Sequence, residues 1–140
     1  MSRIFWDTNL FVYLLEPKEE FSVITKELRV RMLRRGDHLL TSTMTLGEVL
    51  VKATQAGAAE RCRKYERAIS LAATIVPFDV TAARHYASIK TKRSIQAPDA
   101  VQLSCAASVG VDLFITNDDR LQNQQVPGIQ FIVPLTRVPI

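Results

Sequence analysis

The sequence predicts an α/β fold built on a mostly parallel sheet, and three features of the chain point to it. Short apolar runs alternate with longer stretches of helical periodicity from end to end. That order implies right-handed βαβ units with helices covering both faces of the sheet. Two of the runs, Ile4 to Trp6 and Leu113 to Ile115, read as buried strands. Both lead straight into motifs holding an aspartate, Asp7 in Trp6-Asp7-Thr8-Asn9 and Asp118 in Thr116-Asn117-Asp118. The carboxyl ends of strands are where open α/β sheets build their sites.

Taken in order, Arg3 to Trp6 is a short buried strand, and Thr8 to Leu15 a helix entered at Asp7-Thr8-Asn9 and stopped before Pro17. Phe21, Ile24, Leu28 and Met32 recur at helical spacing until Gly36 ends the segment. Lys26, Arg29, Arg31, Arg34 and Arg35 are interleaved and give that helix a basic face. His38 to Thr41 is a second apolar run, after which Ser42 or Thr43 can cap a helix through Leu46, Val49, Leu50 and Ala53 to Gly57. A further helix, Ala58 to about Ala73, carries Arg61, Arg63, Lys64 and Arg67. Thr74 to Phe78 is a third strand, and Asp79 can cap a helix from Val80 to Lys92. Beyond the Ser94 to Ala97 loop, Pro98 suits the first turn of a helix that carries Ala100, Leu103 and Ala107 on one face and stops at Gly110. Leu113 to Ile115 and Phe131 to Val133 complete the strands.

With 140 residues, the chain is expected to form one domain over residues 1–140. Its hydrophobic fraction of 47% and charged fraction of 23% are those of an ordinary globular protein. No apolar stretch approaches the roughly 20 residues that span a bilayer. The N-terminus lacks the basic-then-apolar layout of a secretory signal, so no membrane partner and a cytoplasmic location are expected. Cys62 and Cys105 lie in helical segments without Cys-x-x-Cys or Cys/His spacing, which argues for two reduced thiols and against zinc. Lysine and arginine number 18 against 14 acids, a net charge of +4. A basic surface around an acidic pocket suits a polyanion such as RNA or DNA, although a slight Lys/Arg excess on an ordinary surface gives the same number.

Four acids are candidates for chemistry: Asp7, Glu48 in Thr45-Leu46-Gly47-Glu48, Asp99 in Pro98-Asp99-Ala100, and Asp118. Carboxylates brought together repel, so one must take up a proton or a cation must neutralise them. A hard oxygen site of that kind suits Mg²⁺ or Mn²⁺ and metal-dependent phosphoryl transfer. Singly, each acid has an ordinary explanation. Asp7 is placed to cap the first helix, Asp99 to lie in the favourable first turn of another, and Asp118 or Asp119 to cap a turn. Glu48 lies nearly opposite the Leu46, Val49, Leu50, Ala53 stripe, which leaves it in solvent unless Met44 and Val51 form a second packed face around it. His38 and His85 are isolated, and the zincin, P-loop and nucleophile-elbow motifs are absent.

In order, Asp7-Thr8-Asn9, Thr45-Leu46-Gly47-Glu48, Pro98-Asp99-Ala100 and Thr116-Asn117-Asp118-Asp119-Arg120-Leu121 resemble the four acidic signatures of the PIN-domain nucleases, most closely the VapC-type toxins. The resemblance spans about Arg3 to Leu135. It implies a three-layer α/β/α sandwich and an endoribonuclease dependent on Mg²⁺ or Mn²⁺ that acts on RNA. It also implies a cognate antitoxin as partner and a homodimer. Carried over, Asp7, Glu48, Asp99 and Asp118 are the acidic site, Asp7 and Asp99 the direct metal ligands, and Asn9 and Thr116 supporting residues. The doubled Asp118-Asp119 departs from the pattern and leaves the fourth acid ambiguous, with Asp118 preferred because it follows Thr116-Asn117.

Two other readings stand beside this one. A haloacid-dehalogenase-like phosphatase also places an Asp after its first strand, in an Asp-x-Asp-x-Thr motif, whereas the third position here is Asn9. A non-catalytic RNA-binding module would use the basic faces and keep the acids as structural residues.

Overall fold

A computed structural model describes residues 1–140. The strands are β1 (Arg3–Trp6), β2 (His38–Ser42), β3 (Thr74–Val76), β4 (Val111–Ile115) and β5 (Ile129–Val133). The helices are α1 (Thr8–Leu15), α2 (Ser22–Arg35), α3 (Thr43–Gln55), α4 (Ala59–Ala72), α5 (Val80–Lys90) and α6 (Ala97–Val109), with 3₁₀ turns at Asp119–Leu121 and Leu135–Arg137. The five strands form one sheet in the order β3-β2-β1-β4-β5, and every pairing is parallel. The expected three layers follow from which way each strand residue faces.

Successive side chains of a strand point to opposite faces, and β1 shows the consequence. Phe5, level with Leu40 and Phe114 across the ladder, packs under Ala82 and Ile89 of α5 and Leu103 and Ala106 of α6. Its ring stacks on Phe114 with centroids 5.1 Å apart. Ile4 and Trp6 point the other way, into a second core with Leu10 and Phe11 of α1, Leu28 and Met32 of α2, and Ile69 of α4. β1 is thus sealed on both sides, which is why its run is apolar without alternation.

Several boundaries differ from expectation for identifiable reasons. β3 stops at Val76 rather than Phe78, because Pro77 has no N–H to give a ladder. Phe78 turns out and meets Tyr86 edge-on. β4 begins two residues early, at Val111, because Asp112 is not a strand breaker here: its carboxylate accepts the Arg3 N–H at 2.7 Å. α2 buries Ser22 and Thr25 beside Leu28 and Met32, and the Thr25 hydroxyl is satisfied by the Phe21 carbonyl at 2.8 Å. Its basic face is partly used inside the protein, since Arg29 donates to the Ala72 carbonyl, Arg31 to the Ile140 carbonyl, and Arg35 pairs with Asp37. Both cysteines are free thiols, and burial pushes Cys105 up to about 11. No helix is long and apolar enough to cross a membrane.

Gly128 sits where α6, β4 and β5 meet. Its φ is +100°, and a Cβ there would lie 2.6 Å from the Ala107 carbonyl oxygen. Gly57 also has a positive φ, +65°, but open space around it. Gly128→Ala should therefore cost about 2 kcal/mol or more, combining steric overlap with backbone strain, whereas Gly57→Ala should cost about 1 kcal/mol from strain alone. Urea midpoints of the two variants check the ordering.

Candidate active site

The strand order locates the site before any side chain is considered. From β1 the chain builds outward through β2 to β3, then returns to place β4 and β5 on the other side of β1. The crevice at the carboxyl ends of β1 and β4 is the switch point of the sheet. Asp7 is the residue after β1, and Thr116 the residue after β4. α3 leaves β2 at the same end, and the first turn of α6, which runs back toward the start of β4, returns to it. A cleft of about 300 Å³ opens there, lined by Asp7, Thr8, Asn9, Glu48, Asp99, Gln102 and Asp118. All four expected acids and Asn9 reach it, and Thr116 lies fully buried beneath.

Asp7 is 8% exposed and its two oxygens are held separately. Oδ1 accepts the Thr8 N–H at 2.8 Å and Oδ2 accepts the Thr116 hydroxyl at 2.7 Å. Burial pushes this carboxyl up to about 6, the two hydrogen bonds oppose the rise, and the negative charges of Asp99 and Glu48 add to it. Thr116 also accepts the Asp118 N–H at 3.0 Å, so one hydroxyl joins the acids that follow β1 and β4. Asp99, in the first turn of α6, is raised by burial and then by the charge of Asp118, while Arg120 pulls the other way. Asp118 is lowered, chiefly by its hydrogen bonds from the Arg120 side chain. Asp119 is exposed and stands outside the cleft lining, so the structure brings Asp118, not its neighbour, to the other acids.

Glu48 does not sit between two packed faces, since Val51 is 48% exposed. Its position is set from α1, where the Thr8 hydroxyl donates to Oε1 at 2.6 Å. Helical periodicity alone has no access to that contact. Thr8 in turn accepts from Gln102 Nε2 at 2.9 Å, and the same nitrogen donates to Thr45 Oγ1 at 2.8 Å. The Thr45 and Thr41 hydroxyls lie 2.8 Å apart, Thr41 donates to the Trp6 carbonyl at 2.9 Å, and the Ser42 hydroxyl donates to Gln102 Oε1. Gln102 is only 2% exposed, and this buried network ties Glu48 to β1, β2 and α6. Thr8, Thr45 and Gln102 were missed in the sequence. The available signal was a glutamine at i+3 from Asp99, which places both on one helix face.

The donor set suits a hard divalent cation. Every polar group at the cleft is an oxygen or amide, the charges of Asp99 and Glu48 raise Asp7, and the buried Asn9 Oδ1 has no hydrogen-bond partner. No three of the acids form a closed cage. Mg²⁺ does not require one, because it keeps several waters and takes one or two direct carboxylates.

The profile of the PIN domain matches residues 4–126. The chain belongs to the PIN-domain family. Solved structures agree on the fold: the Rickettsia felis VapBC2 complex bound to a promoter DNA fragment has a chain that superposes with a TM-score of 0.74 at 14% identity, covering 94% of this chain and 98% of that one. DNA-bound VapBC from Salmonella typhimurium gives 0.71 at 22%, over 96% and 99% of the two chains. VapBC-5 of Mycobacterium tuberculosis, a member of a family of toxin–antitoxin systems, gives 0.59 at 18%, over 95% and 99%. Curated protein sequences give no significant match. Membership of the PIN family removes the phosphatase alternative, which Asn9 at the third motif position already disfavoured.

The raised Asp7 has a signed consequence for metal-free protein. Its folded pKa, about 6, lies above the unfolded value, so the folded state holds the extra proton between the two. Stability should therefore fall as pH rises from about 4 to about 6 and level off above, by on the order of 2–3 kcal/mol from this group. Asp7→Asn should flatten that decline, as read from urea midpoints at pH 4.5, 6 and 7.5 in EDTA.

Proposed function

We propose that this PIN domain is a divalent-metal-dependent endoribonuclease that hydrolyses RNA phosphodiester bonds with Mg²⁺ or Mn²⁺, and is the toxin of a type II toxin–antitoxin pair. The observation that carries the reading is the convergence of four acids from four separate segments on one cleft at the switch point. No serine, cysteine or histidine lines that cleft, and its one hydroxyl, Thr8, is engaged with Glu48 and Gln102, so a metal-activated water is the nucleophile that the lining favours. A divalent ion, when bound, lowers the pKa of a water and neutralises charge growing on the phosphate oxygens. Asp7 and Asp99 would hold it. Glu48, oriented by the Thr8 hydroxyl, and Asp118, fixed by Thr116 and Arg120, would orient water and accept its proton. Asn9 and Thr116 support them, Asn9 through its unpartnered oxygen and Thr116 through its bond to Asp7.

RNA has a route to these acids. A groove between α1 and the α3–α4 pair shares Val12 and Glu48 with the cleft; its α3–α4 wall carries Lys52 and Arg61, and Glu16 and Glu19 line the opposite side. Lys64 and Arg67 lie exposed on the same α4. These side chains suit phosphate contacts that weaken as salt rises. The antitoxin partner is supported by the relatives of this fold, which were solved as VapBC complexes, and the cytoplasm is where such a toxin would meet RNA. Leu10 and Phe11 are fully buried and cannot serve a homodimer; the exposed Val23, Val30 and Leu33 of α2 are one apolar surface open to a second copy.

Purified protein should cut RNA with Mg²⁺ or Mn²⁺, lose cleavage in excess EDTA and regain it with Mn²⁺. RNA binding without cleavage, indifferent to metal, would establish the binding module instead. Asp99→Asn should lower the cleavage rate by about 100-fold or more while being at least as stable as the parent in metal-free buffer. Asp119→Asn should stay within about threefold of the parent, because solvated side chains outside a site change little. Gel-based cleavage assays with melts in EDTA check both.

A further inference from the structure

Arg120 is the one basic side chain ion-paired with any of the four acids. The 3₁₀ turn after Asp118 folds it back on its own cap: Nε donates to Asp118 Oδ1 at 3.0 Å and Nη2 to Oδ2 at 2.6 Å, a two-pronged grip. The same Nη2 stands 3.4 Å from Asp99 Oδ2. One cationic nitrogen therefore bridges acids from two separate elements, as a cation shared by the cleft must.

The two sides of this bridge differ in freedom. The Asp99 and Asp118 side chains are each 19% exposed, one carried by the first turn of α6 and the other by a backbone tied to Thr116 through the Asp118 N–H, whereas the Arg120 side chain is 57% exposed. An arginine so placed can leave into solvent by rotating its stem, with no movement of backbone. Exposed ion pairs of this kind are weak, and a divalent ion brings twice the charge to the same oxygens.

We propose that Arg120 is an internal counter-cation of the cleft, which neutralises Asp99 and Asp118 when no metal is bound and competes with the metal ion for Asp99. This rests on the metal-site reading above and adds that the arginine sets how much metal the site needs. Its grip on Asp118 keeps the fourth acid aimed at the cleft meanwhile. The arginine is then neither a metal ligand nor an ordinary surface residue, but the occupant that a metal ion displaces.

The test is calorimetric titration of Mn²⁺ into metal-free parent, Arg120→Gln and Arg120→Lys at one pH and salt concentration. Removing the competitor should tighten Mn²⁺ binding by about two- to fivefold in Arg120→Gln, the factor that a weak exposed pair corresponds to. Arg120→Lys should fall between, since it keeps the charge and loses the planar fork. An unchanged or weaker affinity in Arg120→Gln, beside clear binding to the parent, overturns the role of Arg120 and leaves the metal site standing. Absence of Mn²⁺ binding to the parent overturns both. Should far-ultraviolet dichroism show Arg120→Gln unfolded, the Arg120→Lys comparison decides by the same criterion.

Discussion

A carboxylate at 8% exposure on the end of the central strand has to be stabilised by whatever surrounds it, and the surroundings of Asp7 come from four places in the chain. The Thr8 N–H and the Thr116 hydroxyl favour its charged form; Asp99 and Glu48, of like sign, oppose it. Burial outweighs the hydrogen bonds, so the net shift is upward. A site left in this condition is poised for a cation. It resembles other functional sites in holding groups that the fold alone would not select, at some loss of stability without its ligand.

What keeps that arrangement in place is the rigidity of the elements beneath it. Asp7 continues the β1–β4 ladder through its own N–H to the Ile115 carbonyl at 3.0 Å, so the separation of Asp7 from Thr116 is fixed by sheet geometry. The Phe5–Phe114 stack locks the same two strands from one face, and Trp6, Phe11 and Ile115 close the other. Gln102 extends this order to α3, because an amide with both ends engaged has no second low-energy orientation in a buried pocket. Glu48 and Asp99 sit on helices and Asp7 in the one-residue link between β1 and α1, whereas Asp118 lies on the looser stretch beyond β4, and Asp118 is the acid that has an arginine to hold it.

Much of the fold was legible because local signals agree with the tertiary structure. Ser42 and Asp79 cap the helices they precede, Gly36 and Gly110 end theirs with positive φ, and the unbroken apolar runs of β1 and β4 are buried on both faces. The errors occur where a partner far along the chain decides. Asp112 passes for a break in β4 until Arg3 is seen to donate to it. Glu48 is exposed as its periodicity implies, but its orientation is set by Thr8, forty positions away. The acids themselves emerged from their order and family resemblance and not from periodicity, and the choice between Asp118 and Asp119 needed coordinates, since adjacent residues in a turn point in different directions. Arg120 gave no signal at all, because one arginine among 18 basic residues is unremarkable until its nitrogen is placed between two carboxylates.

The role of the cleft depends on whether a divalent ion binds between the end of β1 and the start of α6. Anomalous diffraction from crystals grown with Mn²⁺ measures this directly, since the ion reports its own position. The expected result is a dominant anomalous peak in the cleft, bonded to carboxylate oxygens of Asp7 and Asp99, with the Arg120 guanidinium withdrawn from Asp99. A cleft without a peak at saturating Mn²⁺, with Arg120 still on Asp99 and Asp118, would contradict it.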